Sequence, residues 1–127
     1  MDLGRIRKEI ADAQREFSYV EPHRTDDDKL YVLAALQTNQ NKIYTLAIDI
    51  PESYPNAHPR ITVRKPAIPK DVPHRYNDGT ICYVHPMEWN PGLHTLTTAL
   101  MRSAKWLAKY EVWRSTGRWP GVQLKHY

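Results

Sequence analysis

The distribution of proline divides this chain into three parts. Eight of the ten prolines lie between Pro51 and Pro91, and all four tryptophans lie between Trp89 and Trp119. Proline fixes φ and donates no backbone hydrogen bond, so this middle segment cannot form a long helix or a central strand. Regular elements must therefore come mainly from the residues before Pro51 and from the aromatic C-terminal part.

The residues before Pro51 show first a helical and then an alternating pattern. Apolar residues recur at three- and four-residue steps and predict a helix over 3–17: Leu3, Ile6, Ile10, Ala13 and Phe17. A strand is expected near Tyr19 to His23, and Pro22 makes it a candidate edge strand. Further strands are predicted over Leu30–Leu36, Ile43–Ile50 and Arg60–Arg64. Together the strands predict an antiparallel meander.

A second helix is predicted over residues 95–114, with Thr95 as its N-cap and Gly117 placed to end it. Its apolar stripe comprises Leu96, Leu100, Ser103, Leu107 and Tyr110. Pro66 to Leu93 lacks a regular pattern, and Ile81, Tyr83, Met87 and Trp89 within it are candidates for packing. We expect an ordered, functional segment there. A helix, a meander and a second helix predict one α+β domain spanning residues 1–127.

Composition narrows the class of protein. The 127 residues carry a net charge of +4 and one cysteine, which excludes an intramolecular disulfide framework and a cysteine-rich zinc site. The longest apolar run, Tyr31–Leu36, is too short to cross a bilayer, and the N-terminus has no signal-peptide core. The basic residues are dispersed, which favours a general solvated surface over a nucleic-acid face. We expect a cytoplasmic protein that does not bind a membrane.

Cys82 is the sole thiol nucleophile available to the chain. Asp78 and Gly79 predict a tight turn just before it. One interpretation is a small buried residue beside that turn. A second interpretation is a zinc site formed by His74, Cys82, His85 and His94, although structural zinc sites usually contain more cysteines. A Cys–His protease is a third, but no local protease signature is present.

Five motifs follow one another along almost the whole chain. They are Leu3–Ile10, Ile50–Pro55 with Pro59, Gly79–Cys82, Trp89–Pro91 and the helical stretch Leu93–Leu107. In this order they resemble the ubiquitin-conjugating enzyme family, whose members carry ubiquitin or a ubiquitin-like protein as a thioester on one cysteine. The resemblance implies an N-terminal helix, a four-stranded antiparallel meander, an active-site loop and a central helix. It also implies that Cys82 is the nucleophile.

Two departures from the family pattern indicate a particular branch. Val72-Pro73-His74 stands where the family has His-Pro-Asn, so His74 occupies the position of the Asn that supports the oxyanion. The chain also ends soon after the second long helix, so the family's two C-terminal helices are expected to be missing. With the spacing of Tyr76, Asp78 and Gly79, and with the stretch Tyr110–Gly121, these features resemble the bacterial branch.

Members of that branch occur in antiphage defence operons, including cyclic-oligonucleotide-based signalling systems (CBASS). There, a conjugating enzyme attaches the C-terminus of a cGAS-like nucleotidyltransferase to a target. Other bacterial members work with a true ubiquitin-like protein. The resemblance therefore implies three kinds of partner: an activating enzyme, one of these two carried proteins, and an acceptor protein. It implies no cofactor and no metal.

The candidate site residues fall into three groups. Cys82 and His74 are the predicted catalytic residues, although His74 could instead hold its loop through backbone contacts. The auxiliary candidates are Asp78, Tyr76, His85 and Glu88. Asp78 could instead be a turn residue and Glu88 a solvated charge, whereas Tyr76 and His85 are candidates to line the same groove. The resemblance implies partner binding by Arg5, Arg7, Lys8, Arg15, Pro55 and Pro91. The alternative for the three arginines and the lysine is that they are ordinary solvated charges on the helix.

Three functional hypotheses remain from the sequence. The first is an active conjugating enzyme in bacterial defence. The second is a catalytically inactive adaptor of the same fold that binds a ubiquitin-like partner noncovalently; the presence of Cys82 argues against it. The third is a basic nucleic-acid-binding domain, which the motif order does not support. Trp106, Trp113 and Trp119 are expected to be core or a hydrophobic cover, with a partner-binding patch as the alternative.

Overall fold

The computed structural model describes residues 1–121. Its helices are α1 (Leu3–Glu16) and α2 (Leu96–Thr116), with a short 3₁₀ turn at Pro86–Glu88. Its strands are β1 (Tyr19–Arg24), β2 (Leu30–Gln37), β3 (Ile43–Asp49) and β4 (Arg60–Lys65), which form one antiparallel sheet in the order β1-β2-β3-β4. The predicted α+β class is confirmed, and β1, which contains Pro22, is an edge strand.

One face of the sheet is buried. Along β2 every second side chain is buried, from Leu30 to Leu36, and its neighbours are partly exposed. The inward residues of β3 and β4 continue this face and include Tyr44, Leu46, Ile48, Ile61 and Val63. This two-residue period is that of a sheet with helices on one side. The side chains of α1 and α2 complete the same core.

Helix α1 is capped at its N-terminus by Asp2, whose side chain accepts a hydrogen bond from the backbone N–H of Arg5. Its predicted apolar face is buried at Ile6, Ile10 and Ala13. The prediction was wrong for Leu3, which is 46% exposed. Leu3 is the first helical residue, and burial of this face begins only one turn later, at Ile6.

Helix α2 has the predicted ends. Thr95 and Thr98 form a reciprocal capping box, and Gly117 ends the helix in a left-handed conformation, with φ of 77°. The predicted stripe is buried along its length. The hydroxyl of Ser103 is satisfied there by donating to the carbonyl of Ala99 at 2.8 Å.

The proline-rich segment between β4 and α2 is packed by a few side chains rather than by regular structure. Ile81, Tyr83 and Trp89 are buried in the core, as predicted. The prediction was wrong for Met87, which is 87% exposed because it lies on the exposed 3₁₀ turn. Among the helices of residues 1–121, none combines the length and apolarity required to cross a membrane.

Candidate active site

The residues from His74 to Cys82 form a hairpin, called here the active-site hairpin. Its ends are joined by a 2.9 Å hydrogen bond from the Cys82 N–H to the His74 carbonyl. Its turn is closed by the Gly79 N–H, which donates to the Tyr76 carbonyl at 3.0 Å, and Gly79 has φ of +94°. The Ile81 N–H donates to the Ile61 carbonyl at 2.8 Å. The hairpin therefore lies against the edge of β4.

Cys82 is the chemical centre of this hairpin and is only 7% exposed. The hydroxyl oxygen of Tyr76 lies 3.4 Å from its Sγ. Burial raises the pKa of the Cys82 thiol, the contact with Tyr76 opposes that rise, and the negative charge of Glu88 adds to it. A buried thiol with a raised pKa is a weaker nucleophile than an exposed one.

His74 has an unusual backbone conformation, with φ of 59°, in the left-handed region. Its carbonyl accepts the Cys82 N–H and also the indole N–H of Trp106, the latter at 3.0 Å. Its ring packs against Trp119, with the ring centres 4.8 Å apart. His74 is therefore fixed beside Cys82 in the chain through backbone and ring contacts, and its catalytic role stays a prediction.

Asp78 has the role of a turn residue. Its Oδ1 accepts from the N–H of Thr80 at 3.0 Å and from the Thr80 hydroxyl at 2.7 Å. Its other oxygen pairs with Arg60 of β4. The hydrogen bonds from Thr80, followed by the charge of Arg60, lower the pKa of the Asp78 carboxyl. These contacts make Asp78 a brace of the turn and tie it to the sheet.

His85 and Glu88 lie on the other side of Cys82 along the chain. The Nδ1 of His85 accepts from the Met87 N–H at 2.9 Å, so this imidazole caps the 3₁₀ turn. Glu88 ends that turn and is exposed. Its charge acts on Cys82 by raising the thiol pKa, which is the opposite of activation.

A cleft of about 370 Å³ opens beside Tyr76. It is lined by His58, Arg60, Tyr76, Asn77, Asp78 and Pro86. His58 is packed against Tyr83 and Trp89, and burial lowers the pKa of its ring. One wall of the cleft is thus formed by Tyr76, the residue whose hydroxyl contacts the Cys82 sulfur.

The zinc interpretation of Cys82 finds no support in the described part of the chain. Within residues 1–121, no three His, Cys, Asp or Glu side chains cluster closely enough to hold a metal ion. His94 points elsewhere: its Nδ1 accepts from the Asn90 N–H at 3.0 Å.

The predicted partner-binding residues occupy two regions. Arg7 and Lys8 are exposed on α1, and Arg15, also exposed, pairs with Asp12. Pro55 and Pro91 lie in loops that meet, because the indole N–H of Trp89 donates to the Pro55 carbonyl at 2.8 Å. These two loops are therefore held together.

Arg5 differs from the other basic residues of α1. Its guanidinium pairs with Glu9 at 2.5 Å and donates to the carbonyl of His94 at 2.9 Å. Glu9, only 5% exposed, also accepts from the Leu96 N–H at 2.8 Å and from the Tyr54 hydroxyl. This Glu9 network joins α1, the loop after β3 and the start of α2. The sequence did not reveal it, although Glu9 shares the helix face of Ile6 and Ala13.

Comparison with known proteins agrees with this architecture. The sequence matches the family of type II CBASS E2 proteins over residues 9–127. No curated protein matches it. The structure is similar to human ubiquitin-conjugating enzyme E2 G1, with 20% identity, a TM-score of 0.56, and coverage of 81% of this chain and 91% of that one.

It is also similar to the yeast Vps23 UEV domain in complex with a Vps27 PSDP peptide. That match has 12% identity, a TM-score of 0.61, and coverage of 98% of this chain and 86% of the other. At such low sequence identity, these structural matches establish the fold alone. They confirm the ubiquitin-conjugating-enzyme-like architecture predicted from the motifs. The match of nearly the whole sequence to the family shows more: the chain is a member of the type II CBASS E2 family.

Proposed function

We propose that this protein accepts the C-terminus of another protein as a thioester on Cys82 and transfers it to an amine or another nucleophile in bacterial antiphage defence. The carried protein would be a ubiquitin-like protein or a cGAS-like nucleotidyltransferase, delivered by an activating enzyme. The observation that carries this proposal is the position of the lone cysteine. It ends the active-site hairpin and contacts the hydroxyl of Tyr76, a residue that lines the neighbouring cleft.

The chemistry consists of two acyl transfers. In the first, the Cys82 thiolate attacks the thioester carbonyl on the activating enzyme, a new carbon–sulfur bond forms, and the enzyme's thiolate leaves. In the second, an acceptor amine attacks the Cys82 thioester. An amide bond forms, the bond to Sγ breaks, and the amine's proton is lost as the thiol is restored. Each transfer passes through a tetrahedral oxyanion.

Two residues of the active-site hairpin fit the needs of this chemistry. Tyr76 can donate a hydrogen bond to the thiolate, which lowers the energy of the charged form. His74 has a ring N–H that can donate to the oxyanion, and its backbone is bonded to that of Cys82. A well-placed oxyanion donor contributes about a hundredfold to a thousandfold in rate.

The adaptor function is the second candidate, and one observation favours it. Cys82 is nearly buried and its thiol pKa is raised, whereas a reactive cysteine is usually accessible with a lowered pKa. The similarity to a UEV domain, and to a complex of the Vps23 UEV with ubiquitin (12% identity, TM-score 0.50, 85% of this chain and 96% of that one), is consistent with noncovalent binding.

A chemical loading assay separates the two functions without the activating enzyme. A synthetic peptide ending in glycine, supplied as its 2-mercaptoethanesulfonate thioester, is exchanged onto Cys82, and release to free lysine is followed by intact mass. The glutathione thioester of the same peptide is the uncatalysed reference. We expect the peptide on Cys82 to reach lysine faster than the reference does. Failure to load, or release at the reference rate, would reject the enzymatic function in favour of the adaptor.

A further inference from the structure

The chain reverses direction after α2 and returns along that helix. Gly117, with φ of 77°, makes the reversal, and Gly121 lies near the side chain of Lys109, two turns back from the helix end. The stretch Gly117–Gly121 is called here the return segment. It brings Trp119 against Trp106, with ring centres 5.4 Å apart, and against the ring of His74, with ring centres 4.8 Å apart.

Trp106 and Trp119 hold His74 from two directions. The indole N–H of Trp106 donates to the His74 carbonyl, and the indole ring of Trp119 covers the His74 imidazole. The left-handed backbone of His74 is strained for a residue with a Cβ and persists only where the surroundings impose it. The two tryptophans and the Cys82 N–H are among the contacts that hold this conformation.

We propose that Trp119 is a positioning residue that acts on acyl transfer from Cys82 through His74. This proposal rests on the proposed function and extends it. Trp119 belongs to an irregular segment and is only partly buried, so its contact with the imidazole is not a consequence of helix packing. Trp113 differs from Trp119 in its contacts: its ring packs near that of Tyr110, with 6.2 Å between the ring centres.

The test measures release of the glycine-ended peptide from Cys82 to lysine in a double-mutant cycle. The variants are Trp119→Ala, His74→Ala and the two combined, with Trp119→Phe as the conservative variant and Trp113→Ala as the matched control. We expect Trp119→Ala to slow release about tenfold to a hundredfold, since a misplaced reacting group costs that much. When Trp119→Ala is added to His74→Ala, it should slow release no further. Trp119→Phe should restore most of the rate, and Trp113→Ala should leave it unchanged.

An independent readout does not depend on activity. The ring-proton resonances of His74 should move in Trp119→Ala, because the indole ring current is removed, and should stay in place in Trp113→Ala. Equal slowing by Trp119→Ala in both His74 backgrounds would overturn the positioning role, and so would unmoved His74 resonances. A wild-type protein that accepts no peptide on Cys82 would instead overturn the proposed function, so the two failures are distinguishable.

Discussion

The Glu9 network and the active-site hairpin both bury an ionisable side chain, but they treat it differently. The Glu9 carboxylate accepts hydrogen bonds from three donors: Arg5, the Tyr54 hydroxyl and the Leu96 backbone N–H. The Cys82 sulfur has its hydroxyl contact with Tyr76 at 3.4 Å and lies 4.0 Å from the Val84 carbonyl, and its thiol pKa is raised.

Because of this difference, we expect substitutions in the two regions to change different properties of the protein. The Glu9 network ties three elements together through hydrogen bonds to one carboxylate. The active-site hairpin instead buries a thiol whose pKa is raised, and under the proposed function this thiol would be the reacting group. Substitutions in the first region should therefore affect folding, and substitutions in the second should affect chemistry.

The largest expected effect on folding is that of Glu9→Ala. Removal of the carboxylate leaves Arg5 and two buried donors without their acceptor, and breaking such a buried network costs about 3–5 kcal/mol. Chemical unfolding measures this loss directly. Glu16→Ala, at the exposed end of α1, is the control and should change stability by less than about 0.5 kcal/mol. A Glu9→Ala protein as stable as this control would break the comparison.

His74→Ala should have its main effect on chemistry. We expect release of the peptide from Cys82 to slow about a hundredfold to a thousandfold, because an oxyanion donor is removed, while stability changes by about 1 kcal/mol. His74→Asn is the matched variant, since Asn tolerates a left-handed backbone and retains an N–H donor. It should keep more activity than His74→Ala. An unchanged rate in His74→Ala would remove His74 from the mechanism.

A smaller pair of effects tests the environment of the thiol. Tyr76→Phe removes the contact that lowers the Cys82 pKa, so that pKa should rise further; Glu88→Gln removes a negative charge and should lower it. The midpoint of the pH dependence of iodoacetamide alkylation reports these shifts, since the chain has one cysteine. Wild type should have a midpoint above that of the urea-unfolded chain. Shifts in the same direction for both variants would contradict this account of the site.

The sequence predicted the elements of the fold because their periods are local. The structure contains both the alternation predicted in β3 and the buried helical stripe predicted from Leu96 to Tyr110. The nucleophile candidate could also be identified from local sequence, because the chain has one cysteine, which follows the turn at Gly79. The motif order then indicated the family, which the match over residues 9–127 confirms.

Features created by contacts between distant residues were not predicted. Glu9 and Leu96 are far apart in sequence, and an acidic residue on an apolar face does not reveal its partners. Nothing local to His74 indicates that its carbonyl bonds to Trp106 or that its backbone is left-handed. The exposure of Met87 likewise depends on where the 3₁₀ turn lies in the folded chain. These tertiary contacts override local propensity.

The most direct test of the central claim is the intact mass of the protein after incubation with ATP and lysate of its native host, with wild type beside Cys82→Ala. We predict an ATP-dependent, thiol-sensitive adduct on the wild type alone, while the melting temperatures show both proteins folded. The mass of the adduct would identify the carried protein. A thiol-sensitive adduct that persists on Cys82→Ala, or no adduct on either protein, would contradict the assignment of Cys82 as the acyl-carrying nucleophile.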